Sequence, residues 1–345
     1  MEREEFSKAL FDWYQTFGRT LPWQKESDPY KVMVAVVMLQ QTQVATVIPY
    51  YERFIEKLPT IPALARVSEE ALFKLWEGLG YYTRARNLKK AAQRIVEENQ
   101  GIFPRDFLAL RQLPGIGDYS AGAILSISFQ DPYMAIDGNL YRIFARLLGL
   151  EKTVDDPELR RIVMAKIQKL LPNDRPGDFN QALMDLGATV CLGNARPLCE
   201  RCPFPVFCKA NQMGSTEAIP VKKIKKAKKI ENKSVFLIWK DNQIALIKRA
   251  KSGLLANMWE LPNTDGAMDL GQSASWLETV GIHPESLVIK KQYRHHFSHI
   301  TWNMTGFEVV TLKAPEELGF VWVSREELVR RISMPKAFSP LLDFV

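Results

Sequence analysis

Residues 113–120 read LPGIGDYS, a glycine-containing turn between two segments with helical spacing. Gly115 and Gly117 permit a tight turn, because glycine has no Cβ atom to disfavour left-handed backbone. The stretch therefore predicts a hairpin between two helices. Backbone N–H groups at the start of the second helix could then bind an anion such as a phosphate. A plain helix–helix turn explains the same residues, so both interpretations stay open at this level.

Outward from this turn, the sequence pattern changes once, near residue 230. Before that point apolar residues recur every three to four positions, as in amphipathic helices. The clearest helical segments are residues 33–58, 62–75, 88–99, 140–150 and 160–171. Beyond it, residues 235–239, 244–247 and 306–312 are typical of strands, and residues 275–280 and 325–331 of short helices. We therefore expect a multidomain protein, with an all-α domain followed by a smaller α+β domain.

The composition is that of an ordinary globular protein. Of the 345 residues 46% are hydrophobic and 25% charged, and no run approaches the ~18 apolar residues of a membrane span. The first residues, MEREE, are acidic where a signal peptide would be basic, so we expect a cytoplasmic protein. Almost all of the net charge of +7 lies in residues 222–233, which hold seven lysines and one glutamate. We interpret residues 214–233 as a linker, which is either a solvated connector or an arm that binds phosphates.

All four cysteines fall in one short segment. They are Cys191, Cys199, Cys202 and Cys208. Disulfides are rare in the cytosol, and a C-x-x-C pair within such a group favours a metal site. Four thiolates in one loop suit an iron–sulfur cluster or zinc, and the residues alone leave the metal undecided.

The cysteine segment and the glycine turn together resemble the endonuclease III superfamily of helix–hairpin–helix DNA glycosylases. The spacing C-x7-C-x2-C-x5-C is similar to that superfamily's C-x6-C-x2-C-x5-C loop, with one more residue in the first gap. The turn, followed by IDGN at residues 136–139, resembles its hairpin and catalytic aspartate. The resemblance implies a [4Fe–4S] cluster on the cysteines, a catalytic role for Asp137, and DNA contacts at Gly115, Gly117 and Asn139. Zinc stays as the alternative metal.

Tyr119 stands where lyase-type relatives carry a nucleophilic lysine. Without an amine no Schiff base with the sugar can form there, so the resemblance implies a monofunctional glycosylase. The neighbouring Asp118 is a carboxylate beside the predicted phosphate site, and this interpretation gives it no role.

Further segments resemble MutY-type adenine DNA glycosylases through essentially the whole helical domain. They are LPW at residues 21–23, DPYKV at 28–32, VMLQQT at 37–42, WEGLGYY at 76–82 and FNQALMDLGA at 179–188. That family removes adenine mispaired with 8-oxoguanine, after flipping the adenine out of the stack. The resemblance implies stack-filling roles for Gln41, Leu79 and Tyr81. It implies an adenine pocket formed by Arg19, Trp23, Tyr119 and Gln181. Without it, the apolar and aromatic members of this set would be interpreted as core residues.

One catalytic group of that family is missing. Its glutamate directly precedes VMLQQT, and this chain has Val36 there, with matching residues on both sides. In N-glycosidic hydrolysis an acid protonates the leaving base, while a carboxylate stabilises the oxocarbenium-like centre. Asp137 matches the second role, although a helix N-cap would also explain it. Valine has no proton to donate, and the helical domain has no histidine. Glu77 and Asp185 match positions at which the family has these carboxylates in addition to its usual glutamate. We therefore do not expect either to replace that glutamate.

The second domain resembles the Nudix-like C-terminal domain of MutY proteins, from GLLANMWELP at residues 253–262. A working Nudix hydrolase needs a helix rich in glutamates to hold Mg²⁺, whereas residues 275–280 contain one, so we do not expect a pyrophosphatase. Phe297, Ser298 and His299 match the loop that reads 8-oxoguanine in this family. A plain loop between strands, or a zinc site made by the nearby histidines, are the alternatives.

These observations predict a helical glycosylase domain at residues 1–213, the linker, and a lesion-reading domain at 234–345. The resemblance implies a six-helix module at about residues 25–135, and a cluster module built from 1–24 together with 136–213. The expected partner is double-stranded DNA containing 8-oxoguanine:adenine or guanine:adenine mispairs. We expect the protein to be monomeric and not to bind a membrane. We expect a bacterial, nucleoid-associated protein whose excision activity is impaired or abolished by Val36. The alternative is a catalytically silent protein that binds lesion DNA.

Overall fold

Two units make up the chain in the computed structural model, which describes residues 2–24, 26–223 and 227–342. The helical unit consists of residues 1–66 and 86–224, and the C-terminal unit consists of residues 67–85 and 225–345. Residues 67–85, which the sequence places in the helical domain, thus pack with the C-terminal unit. Within that unit Lys74 Nζ donates to the Ile332 carbonyl at 3.1 Å, and the Met334 N–H donates to Glu77 Oε1 at 2.8 Å.

Helices account for the regular structure of the described residues before 214, as predicted, but the predicted segments 33–58 and 62–75 are each divided into two helices. The helices are α1 Arg3–Phe17, α2 Pro29–Leu39, α3 Val44–Lys57, α4 Ile61–Arg66, α5 Glu69–Trp76, α6 Thr83–Asn99, α7 Phe107–Gln112, α8 Asp118–Phe129, α9 Gly138–Leu148, α10 Pro157–Leu170, α11 Pro176–Thr189 and α12 Lys209–Gln212. Several begin at aspartates whose carboxylates accept backbone N–H groups of the first turn. Asp28 caps α2, Asp106 caps α7 and Asp156 caps α10.

The centre of the helical unit is built around two helices that are apolar on most sides. Helix α2 is buried from Val32 to Met38, and it packs against α8, which is buried from Ser120 to Ser126. A Cβ atom at Gly122 of α8 would lie 2.1 Å from the Met134 carbonyl oxygen. Only glycine allows that close approach. The segment around Met134 can therefore pass directly over α8 before α9 begins.

The C-terminal unit contains a mixed sheet. Its strands are β1 Lys229–Lys240, β2 Gln243–Lys248, β3 Trp259–Glu260, β4 Asn263–Asp265, β5 Pro284–His296, β6 Ile300–Thr311 and β7 Val321–Ser324, and its further helices are α13 Leu270–Thr279 and α14 Arg325–Arg331. The order β3-β2-β1-β6-β5 has β1 parallel to β6, while β4 pairs with β1 and β7 with β2. Alternate residues of β1 pack into two different hydrophobic cores. Val235 and Leu237 belong to one core, and Phe236 and Ile238 belong to the other.

Two sequence-based boundaries need correction, and one strand was missed. Strand β1 begins at Lys229, so the end of the predicted linker is part of the sheet, and linker residues 224–226 lie outside the described residues. Strand β6 begins at Ile300 rather than at residue 306, and strand β5 was not predicted. None of the helices in the described ranges is both long and apolar enough to cross a membrane.

Candidate active site

A cavity of about 200 Å³ in the helical unit collects most of the residues predicted for catalysis and adenine binding. The predicted residues that line it are Arg19, Trp23, Val36, Tyr119, Asp137, Asn139 and Gln181. They come from the segment after α1, from α2, from the first turn of α8, from the start of α9 and from α11. The sequence separations are large, so the fold itself assembles this group around one cavity.

Val36 lies on α2 and contributes an apolar wall to the cavity. Its side chain is 5% exposed, and Val32, Ala35, Leu39 and Val44 line the same cavity. Among the described residues that line it, Asp137 and Asp185 are the only carboxylates, and lysine and histidine are absent. The wall that contains Val36 therefore offers no carboxylic acid to a bound base.

Asp185 forms a partly buried ion pair with Arg19. Its Oδ1 accepts from Arg19 Nη2 at 2.5 Å and from Nε at 3.0 Å, and its Oδ2 accepts the Arg19 backbone N–H at 2.8 Å. The aspartate is 3% exposed, so the pair holds Arg19 at the cavity wall. Burial, followed by the charge of Asp185, raises the pKa of the nearby Tyr14 to about 12. Asp185 thus positions the pocket and is not available as a replacement acid.

Asp137 is the N-cap of α9, and it also faces the cavity. Its Oδ1 accepts the N–H groups of Asn139 and Leu140, each at 2.9 Å, and its Oδ2 accepts Asn139 Nδ2 at 2.7 Å. The cap interpretation and the catalytic one are therefore compatible. Three donors fix the carboxylate where it can face a positive charge that develops in the cavity.

A hydrogen-bonded chain continues from Asp137 towards the cysteines. Arg142 Nη2 donates to Asn139 Oδ1 at 2.8 Å, and Arg142 Nε donates to the Cys191 carbonyl at 2.9 Å. Sequence reasoning missed Arg142, although its position one helical turn after Asn139 was a usable signal.

Tyr119 lies in the first turn of α8, and its hydroxyl contacts Met184 Sδ at 3.6 Å. Burial, followed by the charge of Asp137, raises the pKa of Tyr119 well above its ordinary value, so the phenol stays neutral at physiological pH. Asp118 points away from this site and pairs with Arg111 on the surface. The structure thus gives Asp118, which had no role in the sequence analysis, a surface ion pair with Arg111.

The hairpin before α8 has the geometry that its glycines predicted. Gly115 has φ +78°, and a Cβ atom there would lie 2.9 Å from Asn87 Cβ. Gly117 is the N-cap of α8, and both glycines are exposed. The first N–H groups of α8 thus begin at an accessible turn, as an anion site requires.

The four cysteines line a second cavity, of about 30 Å³. Buried Arg146 lies beside them, with Nη1 3.2 Å from Cys191 Sγ and 2.8 Å from the Leu192 carbonyl. Burial raises the pKa of the Cys202 thiol to about 12, so a thiolate there requires a compensating positive charge. Within the described ranges, no three or more histidine, cysteine, aspartate or glutamate side chains are already placed to coordinate a metal ion. Four sulfur atoms around one cavity, with a cation beside them, nevertheless have the chemistry that an iron–sulfur cluster requires.

In the C-terminal unit, the predicted reading loop joins β5 to β6. Phe297 is half-buried, whereas Ser298 and His299 are exposed. Ser298 Oγ lies 2.7 Å from the hydroxyl of Tyr81, a residue with φ +48° and an exposure of 49%. The structure thus brings a predicted stack-filling residue to a predicted lesion-reading residue. In the same loop region, His296 Nδ1 contacts Thr301 Oγ1 at 2.9 Å.

The two other predicted stack-filling residues differ from each other. Gln41 is exposed and has φ +58°, so its side chain is accessible. Leu79 is 6% exposed, and in this conformation it is a core residue rather than a residue that could enter a DNA stack.

Two protein families match separate parts of the chain. Residues 34–172 match the HhH-GPD superfamily base excision DNA repair protein family, and residues 234–344 match the NUDIX domain family. An adenine DNA glycosylase of Buchnera aphidicola subsp. Baizongia pistaciae is 37% identical over 298 residues, which cover 86% of this chain and 83% of that protein. The adenine DNA glycosylase of Homo sapiens is 36% identical over 312 residues, covering 75% of this chain and 57% of that protein.

Solved structures show the same helical fold. A thermostable thymine-DNA glycosylase matches with a TM-score of 0.55 at 24% identity, covering 61% of this chain and 97% of that one. Endonuclease III, in a trapped covalent intermediate with DNA, matches with a TM-score of 0.52 at 25% identity, covering 62% of this chain and 99% of that one.

Proposed function

The chain belongs to the adenine DNA glycosylase family of base excision repair, and we propose that it recognises adenine opposite 8-oxoguanine but lacks an efficient acid to excise it. The observation that carries this proposal is the cavity itself. Asp137, Tyr119, Arg19 and Trp23 line it, and Val36 occupies the position at which the family has its glutamate.

Each cavity residue has a distinct part in the proposed chemistry. An adenine flipped from the duplex would enter between Trp23 and Tyr119, with Arg19 held for it by Asp185. Asp137 would stabilise the positive charge that develops on the sugar as the N-glycosidic bond breaks. Cleavage also leaves negative charge on the departing adenine, which an acid normally neutralises by protonation.

Val36 removes that second contribution. General acid catalysis typically accelerates a reaction by 10²–10⁴-fold, which corresponds to about 3–5 kcal/mol of the barrier. Asp185 is bound to Arg19, and Tyr119 is a poor acid because of its raised pKa. We therefore expect impaired or abolished hydrolysis by a monofunctional route, since the described cavity lining also offers no lysine for a lyase step.

Recognition does not depend on the missing group. The exposed Ser298 and His299, together with the neighbouring Tyr81, are the proposed contacts to 8-oxoguanine. A catalytically silent protein that binds lesion DNA is therefore the second candidate function, and the valine in an otherwise complete pocket is the observation that favours it. The C-terminal unit serves recognition in both cases.

We also propose that Cys191, Cys199, Cys202 and Cys208 hold a [4Fe–4S] cluster. Such a cluster would supply structural cross-linking of the loop and compensate the burial of the thiolates. The Arg146 guanidinium, 3.2 Å from Cys191 Sγ, would balance part of its negative charge. The residues fit this group because all four cysteines line one cavity.

The test of the proposed function is duplex binding by the protein as it exists. Otherwise identical duplexes with 8-oxoguanine:adenine, guanine:adenine and guanine:cytosine pairs are titrated at one fixed salt concentration, because backbone affinity depends on salt. We expect the tightest binding to the 8-oxoguanine:adenine duplex. Equal affinity for all three duplexes would contradict the proposed lesion recognition.

A further inference from the structure

The reading loop is a tight turn whose backbone is fixed before any DNA is present. The Phe297 N–H donates to the Ile300 carbonyl at 2.8 Å, which closes the turn between β5 and β6. The Phe297 ring packs edge-on against Trp302, with ring centroids 4.8 Å apart, and against His295, at 4.5 Å. Trp302 is 2% exposed, so the loop is anchored on one side to the core of the C-terminal unit.

A second anchor comes from the end of the lysine-rich segment. Lys228 Nζ donates to the Phe297 carbonyl at 2.6 Å, and the Lys229 N–H donates to the His299 carbonyl at 3.2 Å. Lys229 is also in register with Ile300 where β1 runs parallel to β6. Two consecutive lysines therefore bind two carbonyls of one short turn, one through its side chain and the other through its backbone.

These contacts restrict what the loop presents to solvent. With the Phe297 ring packed inward and the carbonyls on both sides of Ser298 accepting hydrogen bonds, the Ser298 and His299 side chains are what the turn exposes. The side chain of Ser298 is held in turn by Tyr81. Lys228 is exposed, and its hydrogen bond to the Phe297 carbonyl uses one of the three donors of its ammonium group.

We propose that Lys228 is a positioning residue for the lesion-reading loop, and that Lys228 and Lys229 together hold this loop through two of its carbonyls. This inference rests on the proposed function, because it assigns to that loop the reading of 8-oxoguanine. The segment then has two parts: its beginning is a connector, and its end belongs to the recognition site.

The test compares Lys228→Gln with Lys222→Gln, two variants that lose the same charge from the same segment. Lys222 is exposed and belongs to the helical unit, so it serves as the matched control. Lys228→Arg keeps a donor on a long side chain and should retain the wild-type behaviour. Hydrogen exchange of a peptide covering residues 295–302 reports the loop, and duplex binding reports its function.

We expect Lys228→Gln to speed exchange of this peptide, and to lower the preference for 8-oxoguanine:adenine over guanine:adenine by about two- to fivefold, the size of one surface hydrogen bond. Lys222→Gln should change neither. The same exchange and preference in both glutamine variants would overturn the inference. A wild-type protein without lesion preference would instead refute the proposed function, while the exchange data would still decide whether Lys228 holds the loop.

Discussion

The Tyr81 hydroxyl lies 2.7 Å from the Ser298 Oγ, although the two residues are 217 positions apart in the chain. Both belong to the C-terminal unit, because residues 67–85 pack with it. The contact constrains the position of a serine oxygen that is otherwise exposed, and either hydroxyl can be the donor. A hydroxyl oxygen held in one place presents its hydrogen-bonding groups to a purine edge at a defined position.

We predict that Tyr81→Phe and Ser298→Ala each weaken the preference for 8-oxoguanine over guanine opposite adenine. Ser298→Ala should have the larger effect, because it removes the proposed contact itself, while Tyr81→Phe removes only the hydroxyl that holds Ser298 Oγ in place. In a double-mutant cycle we expect a coupling of about 0.5–1.5 kcal/mol between the two positions. Fully additive effects on the measured binding free energies would contradict an energetic link between the two hydroxyls.

A second prediction tests the role of Asp137 as a helix cap. Asp137→Ala removes the cap of α9 and should lower the free energy of unfolding by about 1 kcal/mol, whereas Asp137→Asn should keep most of it. Asp156→Ala is the control, because Asp156 caps α10 with the same two-donor geometry outside the cavity. Urea denaturation provides the measurement. If Asp137→Asn destabilises as much as Asp137→Ala, the carboxylate does not act as the cap that its hydrogen bonds indicate.

The third prediction concerns the metal. Protein purified without air should be brown, absorb visible light and contain about four irons per chain. Cys202→Ala should lose the colour and most of the iron, since Cys202 is one of the four thiols that line the cavity. Zinc at one equivalent without iron, in protein that still folds, would contradict the cluster and favour a tetrahedral zinc site.

Local patterns predicted the parts of this fold that depend on local chemistry. The change from helices to strands near residue 230 follows from hydrophobic spacing, and the start of α9 at Asp137 follows from a capping residue before glycine. Strand β5 was missed because its residues, PESLVIKKQYRHH, are largely exposed and lack the apolar alternation of a half-buried strand. Its partner β6 specifies its conformation through pairing, which no local pattern reports.

The candidate site divides in the same way. The sequence indicated which residue types belong to the cavity, because motif spacing carries that information. It did not reveal that Asp185 is occupied by Arg19, that Leu79 is buried, or that Lys228 reaches the Phe297 carbonyl. Each of these relationships joins residues distant in the chain, so it exists only once the tertiary structure has formed.

The central claim is that Val36 deprives an otherwise complete adenine pocket of its acid. Its most direct test is the single-turnover rate of adenine release from an 8-oxoguanine:adenine duplex by the wild-type chain, by Val36→Glu and by Val36→Gln. The apolar neighbours of this position should raise the pKa of a glutamate there, which suits a proton donor, and glutamine has the same size without the proton. Unchanged duplex binding by both variants would show that they are folded.

We predict that Val36→Glu excises adenine about 10²–10⁴-fold faster than the wild-type chain, while Val36→Gln stays at the wild-type rate. Adding Asp137→Asn to Val36→Glu should remove the gain. A wild-type chain that releases adenine as fast as Val36→Glu would contradict the claim.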